Sequence, residues 1–161
     1  MKNNITLQNF IVILLLLLNI KTQSQTLYIG SYCGTASQGY NGDGGAAINA
    51  QLNFPQGVAV DGSGIVYIAD AANARIRKIT TDGRIATIAG DGTAAQTGDN
   101  GPAINAQLGA PIKVSVDGFG NIYIIDNNII RKIDTNGIIT KVAGTGLQGY
   151  GGDGGNANLA D

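Results

Sequence analysis

L-N-F-P-Q-G-V-A-V-D-G-S-G-I-V-Y-I-A-D at residues 52–70 returns as L-G-A-P-I-K-V-S-V-D-G-F-G-N-I-Y-I-I-D at residues 108–126, 56 positions further on. R-K-I at 77–79 then returns at 131–133, only 54 positions on, so the second copy is two residues shorter just after Asp126. G-D-G-G (42–45) and G-D-N-G (98–101) stand ahead of the two copies, and G-D-G-G (152–155) follows the second. Repetition at a period of this length marks supersecondary units that stack on one another.

Each copy reads as four short strands. In the first they are Val58–Val60, Val66–Ala69, Arg75–Thr80 and Ile85–Ala89. In the second they are Val114–Val116, Ile122–Ile125, Ile129–Ile133 and Ile138–Val142. The runs are rich in Val, Ile, Tyr and Thr and are bounded by Gly, Asp and Asn, the composition of strands joined by tight turns. Tyr67 and Ala69 point to one side, Val66 and Ile68 to the other, so the sheet is apolar on both faces and must be covered twice. Four-stranded antiparallel sheets covered by their own neighbours are propeller blades, here blade 57–90 and blade 112–144 of an all-β propeller. About four aliphatic side chains left bare on one face forfeit roughly 6–12 kcal/mol at about 1.5–3 kcal/mol each. That rivals the whole stability of a domain, about 5–15 kcal/mol, so a lone blade is not expected to hold.

Lys2, the apolar run Phe10–Ile20 and the small polar residues of Thr22-Gln23-Ser24 have the layout of a secretory signal peptide over 1–24. The run is too short to span a bilayer, so no membrane insertion is expected after cleavage, and the chain is assigned to a secreted, periplasmic or cell-surface location. Residues 29–34 align with 85–90, the end of a blade, which predicts an N-terminal closing strand over 26–34. Residues 145–161 read as the loop of a next blade. The expectation for 25–161 is an incomplete propeller of about two complete blades plus that closing strand, with missing C-terminal blades of the same protein as its first partner.

From Gln25 onward eight Lys and Arg stand against eleven Asp, so nothing is basic enough to neutralise a phosphate backbone and no nucleic-acid partner is expected. The single cysteine permits no intrachain disulfide. Neither His nor Glu occurs anywhere, which removes the usual neutral-pH base. No catalytic residue, cofactor or metal is assigned on this composition.

P-Q-G-V-A-V-D-G-S-G-I-V-Y-I-A-D-A-A-N-A-R-I-R-K-I (55–79) resembles the NHL repeat, and the segment 88–108, with its G-D-N-G-P-A-I-N-A-Q-L ending, resembles the long loop of the bacterial and teneurin-like branch. The resemblance covers nearly everything after the leader. It implies a six-bladed propeller of a family that mostly binds proteins, sugars or RNA and includes a few enzymes, a spread from which the fold alone selects nothing. The second copy departs from the pattern: Asn127-Asn128-Ile129 stand where the first has the region of Asn73 to Arg75, so a role tied to Arg75 does not extend to every blade.

Asp43, Asp99 and Asp153 in the Gly-rich loops invite a calcium reading, but one carboxylate per period falls far short of the six to eight oxygens calcium takes. They are expected to bond backbone amides in turns instead. Asp70 and Asp126 end the second strands and are followed by Arg75, Arg77 and Arg131. These form either a polar ring on one propeller face or ion pairs within each blade. Cys33 aligns with Ala89 and Ala143 and reads as a small, buried, inert thiol. Tyr40 and Tyr150 stand just before G-D-G-G loops and are candidates for a sugar- or protein-binding surface; Thr97 occupies that place in the middle loop. The candidate binding residues are thus Asp70, Arg75, Asp126, Tyr40 and Tyr150. The leading expectation is a non-catalytic scaffold for an unknown protein or glycan. The alternatives are a fragment of a propeller enzyme, lyase- or lactonase-like, whose active residues lie in missing blades, and a structural spacer in a larger surface protein.

Overall fold

The computed structural model describes residues 30–161. The expected leader and residues 26–29 of the expected closing strand lie outside those residues; of 30–34 none is strand, and Tyr32 and Cys33 form a bend. Two separate antiparallel sheets follow. The first runs in the order β1 (Pro55–Val60), β2 (Val66–Asp70), β3 (Arg75–Ile79) and β4 (Ile85–Ala89). The second holds β6 (Pro111–Val116), β7 (Ile122–Asp126), β8 (Ile129–Ile133) and β9 (Ile138–Ala143), with the two-residue β5 (Gly101–Pro102) added outside β9.

The two inner strands start earlier than the sequence pattern indicates, at Pro55 and Pro111, which pair with Asp70 and Asp126. Proline is tolerated there because β1 and β6 are edge strands with no ladder donor required on the outer side. A register shift separates Pro55 from Gly57 and Pro111 from Lys113, so the repeat extends to the irregularities of the sheet. The tight turns carry Gly64, Gly83, Gly120 and Gly137 at φ of 83°, 80°, 87° and 78°, a region open to glycine at no steric cost.

The sheets stack as blades. Tyr67, Ala69, Ile76 and Ala89 on the following face of blade 1 form one core with Leu108, Val114, Ile122, Ile124, Ile133 and Ile139 on the preceding face of blade 2. The opposite face of blade 1 contributes Ile68, Ile79 and Ile85 to a second core, closed by Ala47 and Ala50 of the loop before it. At the inner edge the blades approach until a Cβ on Gly57 would lie 2.8 Å from both Ile112 O and Lys113 Cα.

The three Gly-rich loops are built alike, and the middle one bridges blade 1 to blade 2. Gly34, Gly90 and Gly144 each donate an amide to the carbonyl of Ala47, Ala103 and Ala157 at 3.0 Å, and the next residues, Thr35, Asp91 and Thr145, donate to Ala50, Ala106 and Ala160. Gly90 directly follows β4 of blade 1, so the loop over 91–108 is fastened to the blade behind it. The same loop is fastened to the blade ahead by the Asn100 amide, which donates to Ile139 O at 2.7 Å; Gly44 donates to Ile85 O in the same way. Gly42, Gly98 and Gly152 have positive φ, and a Cβ on each would crowd the Cα of Ala50, Ala106 or Ala160 at 2.7–2.8 Å. Asn100 replaces Gly44 at φ 65° against 79°, and Asn is among the few side-chain-bearing residues that visit this region routinely.

Candidate functional site

At the outer end of each blade an arginine is sealed inside the sheet. Arg77 on β3 has no exposed side-chain surface, nor has Asp70 at the end of β2. Its Nη1 donates to Asp70 at 3.2 Å and to Gln51 O at 3.3 Å, and its Nη2 to Asp43 of the preceding loop at 2.6 Å. Asp70 also accepts from the Asn53 amide at 2.7 Å and from the Asn73 side chain at 2.8 Å. The buried guanidinium thus lies between two carboxylates and a backbone carbonyl, the kind of pairing a buried charge needs, with only its Nε left without a partner.

Blade 2 repeats the device. Arg131 donates through Nη1 to Asp126 at 3.5 Å and to Gln107 O at 2.9 Å, and through Nε to Asp99 at 3.0 Å. Asp126 accepts from the Ala110 amide at 2.9 Å as Asp70 accepts from Asn53. Burial pushes the Asp126 carboxyl above its ordinary value, against the opposing pull of the Ala110 amide and Arg131. Burial also raises Asp43, but its hydrogen bonds with Thr87, Arg77 and Tyr40 outweigh it and hold that carboxyl below the usual range.

Above the Arg77 socket the blades diverge. The Tyr40 ring lies 3.6 Å from the Arg75 guanidinium and 4.9 Å from that of Arg77. Tyr40 Oη donates to Asp43 at 2.9 Å. Arg75 donates to the carbonyls of Asn73 at 2.9 Å and Asp91 at 2.7 Å, so it braces the loop of the next blade. In blade 2 buried Ile129 takes the place of Arg75. The counterpart of Tyr40 there is Gln96, not Thr97: Gln96 donates to Asp126 O at 2.6 Å, while Thr97 bonds Gln107 as Asn41 bonds Gln51.

The candidate residues therefore fall into three places. Tyr40, Asp70 and Arg75 converge at the end of blade 1, Asp126 sits alone at the matching place in blade 2, and Tyr150 stands on the third loop, 93 % exposed, donating only to Asp153 at 3.2 Å. Sequence reasoning missed the part played by Asp43 and Asp99, which clasp Arg77 and Arg131 across the loop. The signal was present in the recurrence of Asp at 43 and 99 together with Arg at 77 and 131, where Arg75 does not recur. Among the described residues no group of three or more Cys and Asp side chains is placed to hold a metal ion; Asp43 and Asp99 face arginine instead. Cys33 is half-buried against the second core, and burial pushes its thiol up.

A family model described as the teneurin NHL domain matches residues 9–97 and 92–149. The chain is 35% identical over 121 residues to teneurin-1 of Gallus gallus and 36% identical over the same length to teneurin-3 of Danio rerio. Each match covers 71% of this chain and 4% of the relative, so the chain spans a small part of the proteins it matches. A solved Bacteroides thetaiotaomicron protein of unknown function superposes at a TM-score of 0.55 and 29% identity, covering 70% of this chain and 26% of that one. With its stacked antiparallel sheets and this match over most of its length, the chain belongs to the teneurin NHL-domain family as a partial β-propeller.

Proposed function

We propose that this chain is a non-catalytic interaction scaffold working outside the cytoplasm, with a protein or glycan held against the loops at the outer ends of its blades. One observation carries the reading: the charged groups sealed in the sheets are consumed by holding the loops, while the loops turn aromatic and amide groups outward. Asp70 and Asp126 serve as buttresses, and Tyr40, Arg75 and Tyr150 are the contact residues. Tyr40 is half-exposed over its arginine and Tyr150 is nearly free, and such rings bury large area at low entropic cost when a ligand covers them. Neither His nor Glu occurs in the sequence, and Asp43, Asp70, Asp99 and Asp126 are engaged by Arg77 and Arg131, which supports the non-catalytic reading.

The leader over 1–24 supports a secreted, periplasmic or cell-surface site of action, and N-terminal sequencing of the chain from a secreting host checks it: a start at Gln25 is expected. The scaffold reading is tested on an array of glycans and purified cell-surface proteins. Binding that drops at least tenfold in Tyr150→Ala or Arg75→Ala supports it. Silence across the array, or binding indifferent to both variants, removes it.

A further inference from the structure

Three Asn-Gly steps occur in the chain, at Asn41-Gly42, Asn100-Gly101 and Asn136-Gly137. The backbone nitrogen after an asparagine lies within reach of that residue's Cγ, and a glycine puts no side chain in the way. Asparagine is thermolabile for this reason. The fold treats the three steps differently. The Gly137 amide donates to Asp134 O at 2.9 Å, and the Asn136 side chain donates to the same aspartate at 3.5 Å. The Asn100 amide donates to Ile139 O at 2.7 Å, and Gly101 beside it pairs with Ile139 in the β5–β9 ladder. Both of these peptides are pinned.

The first step is not. Asn41 is exposed and lies outside any strand or turn. Its side chain makes a single surface bond, from Nδ2 to Gln51 Oε1 at 3.1 Å. Among the described residues the Gly42 amide has no hydrogen-bond partner, and the same holds for Gly98 and Gly152 at the matching places. Thr97, which stands where Asn41 does, is exposed although blade 1 lies behind its loop. The access therefore belongs to the loop itself and does not depend on what precedes blade 1.

We propose that Asn41 is a self-modification site, at which the Gly42 nitrogen displaces the side-chain amide and the resulting isoaspartate loosens the Asp43 clasp on Arg77. The Gly42 nitrogen gives its proton to hydroxide and attacks Cγ, forming the N–Cγ bond of a cyclic imide. The Cγ–Nδ2 bond breaks, and its nitrogen takes a proton from water and leaves as ammonia. Water then opens the imide at either carbonyl, giving aspartate or isoaspartate. The balance is one water taken up and one ammonia lost, with no oxidant or reductant.

Isoaspartate routes the backbone through the former side chain and adds a methylene between Tyr40 and Asp43. Tyr40 Oη donates to Asp43 at 2.9 Å, and Asp43 accepts from Arg77 at 2.6 Å and from the Thr87 amide at 3.1 Å. Gly42 has little room to absorb the added atom, since even a Cβ there would lie 2.8 Å from Ala50 Cα. The displacement passes to Asp43.

The chain from a secreting host, aged at neutral and mildly alkaline pH in heavy-oxygen water, tests the proposal. Peptide mapping is expected to find isoaspartate carrying the heavy oxygen at 41. It accumulates at least severalfold faster there than at 136, and faster at the higher pH. In urea the two steps are expected to react alike, which ties the difference to the fold. Asn41→Thr, the residue of the second loop, is expected to keep a constant urea midpoint on ageing, whereas the wild-type midpoint falls as isoaspartate builds up. Freshly prepared Asn41→Asp carries the charge without the methylene and is expected to unfold near the wild-type midpoint. Equal rates at 41 and 136 in the folded chain, absence of isoaspartate at 41, or an isoaspartate form that unfolds as the fresh chain does overturns the proposal.

Discussion

Arg77 Nη2 lies 2.6 Å from Asp43, joining the third strand of a blade to a loop that precedes its first. The bond spans 34 positions of sequence, and the matching pair Arg131–Asp99 stands at 2.9 Å in blade 2. Each blade is thereby closed by its own loop, and the loop of blade 2 reaches back to blade 1 through Gly90 and Asp91.

Arg77→Met leaves Asp70 buried and without its cation. A loss of about 3–5 kcal/mol is expected, the cost of orphaning one member of a buried pair. Asp43→Asn is expected to cost less, because that carboxylate keeps partial access to water. In the Arg77→Met background Asp43→Asn is expected to cost less than it does alone, since its bond to Arg77 is already gone and only those to Tyr40 and Thr87 remain to be disturbed. Urea unfolding of the four proteins checks both statements.

Gly57→Ala places a methyl 2.8 Å from Ile112 O and Lys113 Cα, both backbone atoms. The blades must part to admit it, at about 1–3 kcal/mol. Gly118→Ala is the control, since a Cβ there meets nothing within 4 Å. Equal melting points for the two variants contradict the close approach of β1 and β6.

Ile124→Ala empties a site at the centre of the interblade core, where the side chain is fully buried. A loss of about 2–5 kcal/mol is expected. Val58→Ala, the same kind of truncation on the uncovered face, is expected to stay within about 0.5 kcal/mol in dilute solution. The difference measures what a neighbouring blade contributes.

Amides of Ile138 and Asn136 donate to Asp134 at 2.9 Å each and hold it below the ordinary carboxylate range. A carboxylate lowered in the folded state adds stability that is in place above its unfolded value near 3.9 and fades as pH falls through the folded value. Asp126, raised by burial, has the opposite sign: its contribution is complete below about 3.9 and is lost as pH rises through its raised value. Because the lowered carboxylates are more numerous, the urea midpoint is expected to fall on acidification below that range. Asp134→Ala is expected to show a shallower fall, and an unchanged slope refutes the assignment.

The strands were legible because Tyr67 and Ile68 announce two apolar faces within adjacent residues, and a two-faced sheet has few solutions. Ile85–Ala89 matches its expected limits at both ends. The inner strands did not, since Pro55 and Pro111 join the ladder through partners at Asp70 and Asp126 rather than through any preference of their own. The ion pair within each blade was readable from Asp70 and Arg77 lying on neighbouring strands. Its third member was not, because Asp43 meets Arg77 only once the loop has folded onto the sheet. Gln96, by contrast, was readable: it stands two residues before Gly98 as Tyr40 stands two before Gly42, and setting Thr97 against Tyr40 is a one-residue slip in the alignment.

The two-residue shortening at Asn127-Asn128 gives the molecule an asymmetry visible from outside. Above the first socket a guanidinium backs an aromatic ring; above the second an amide, Gln96, stands in its place. A ligand long enough to lie across both ends meets cation and ring at one terminus and a neutral group at the other. The two ends are chemically unlike, and a repeat that looks interchangeable from within reads as an arrow from the solvent.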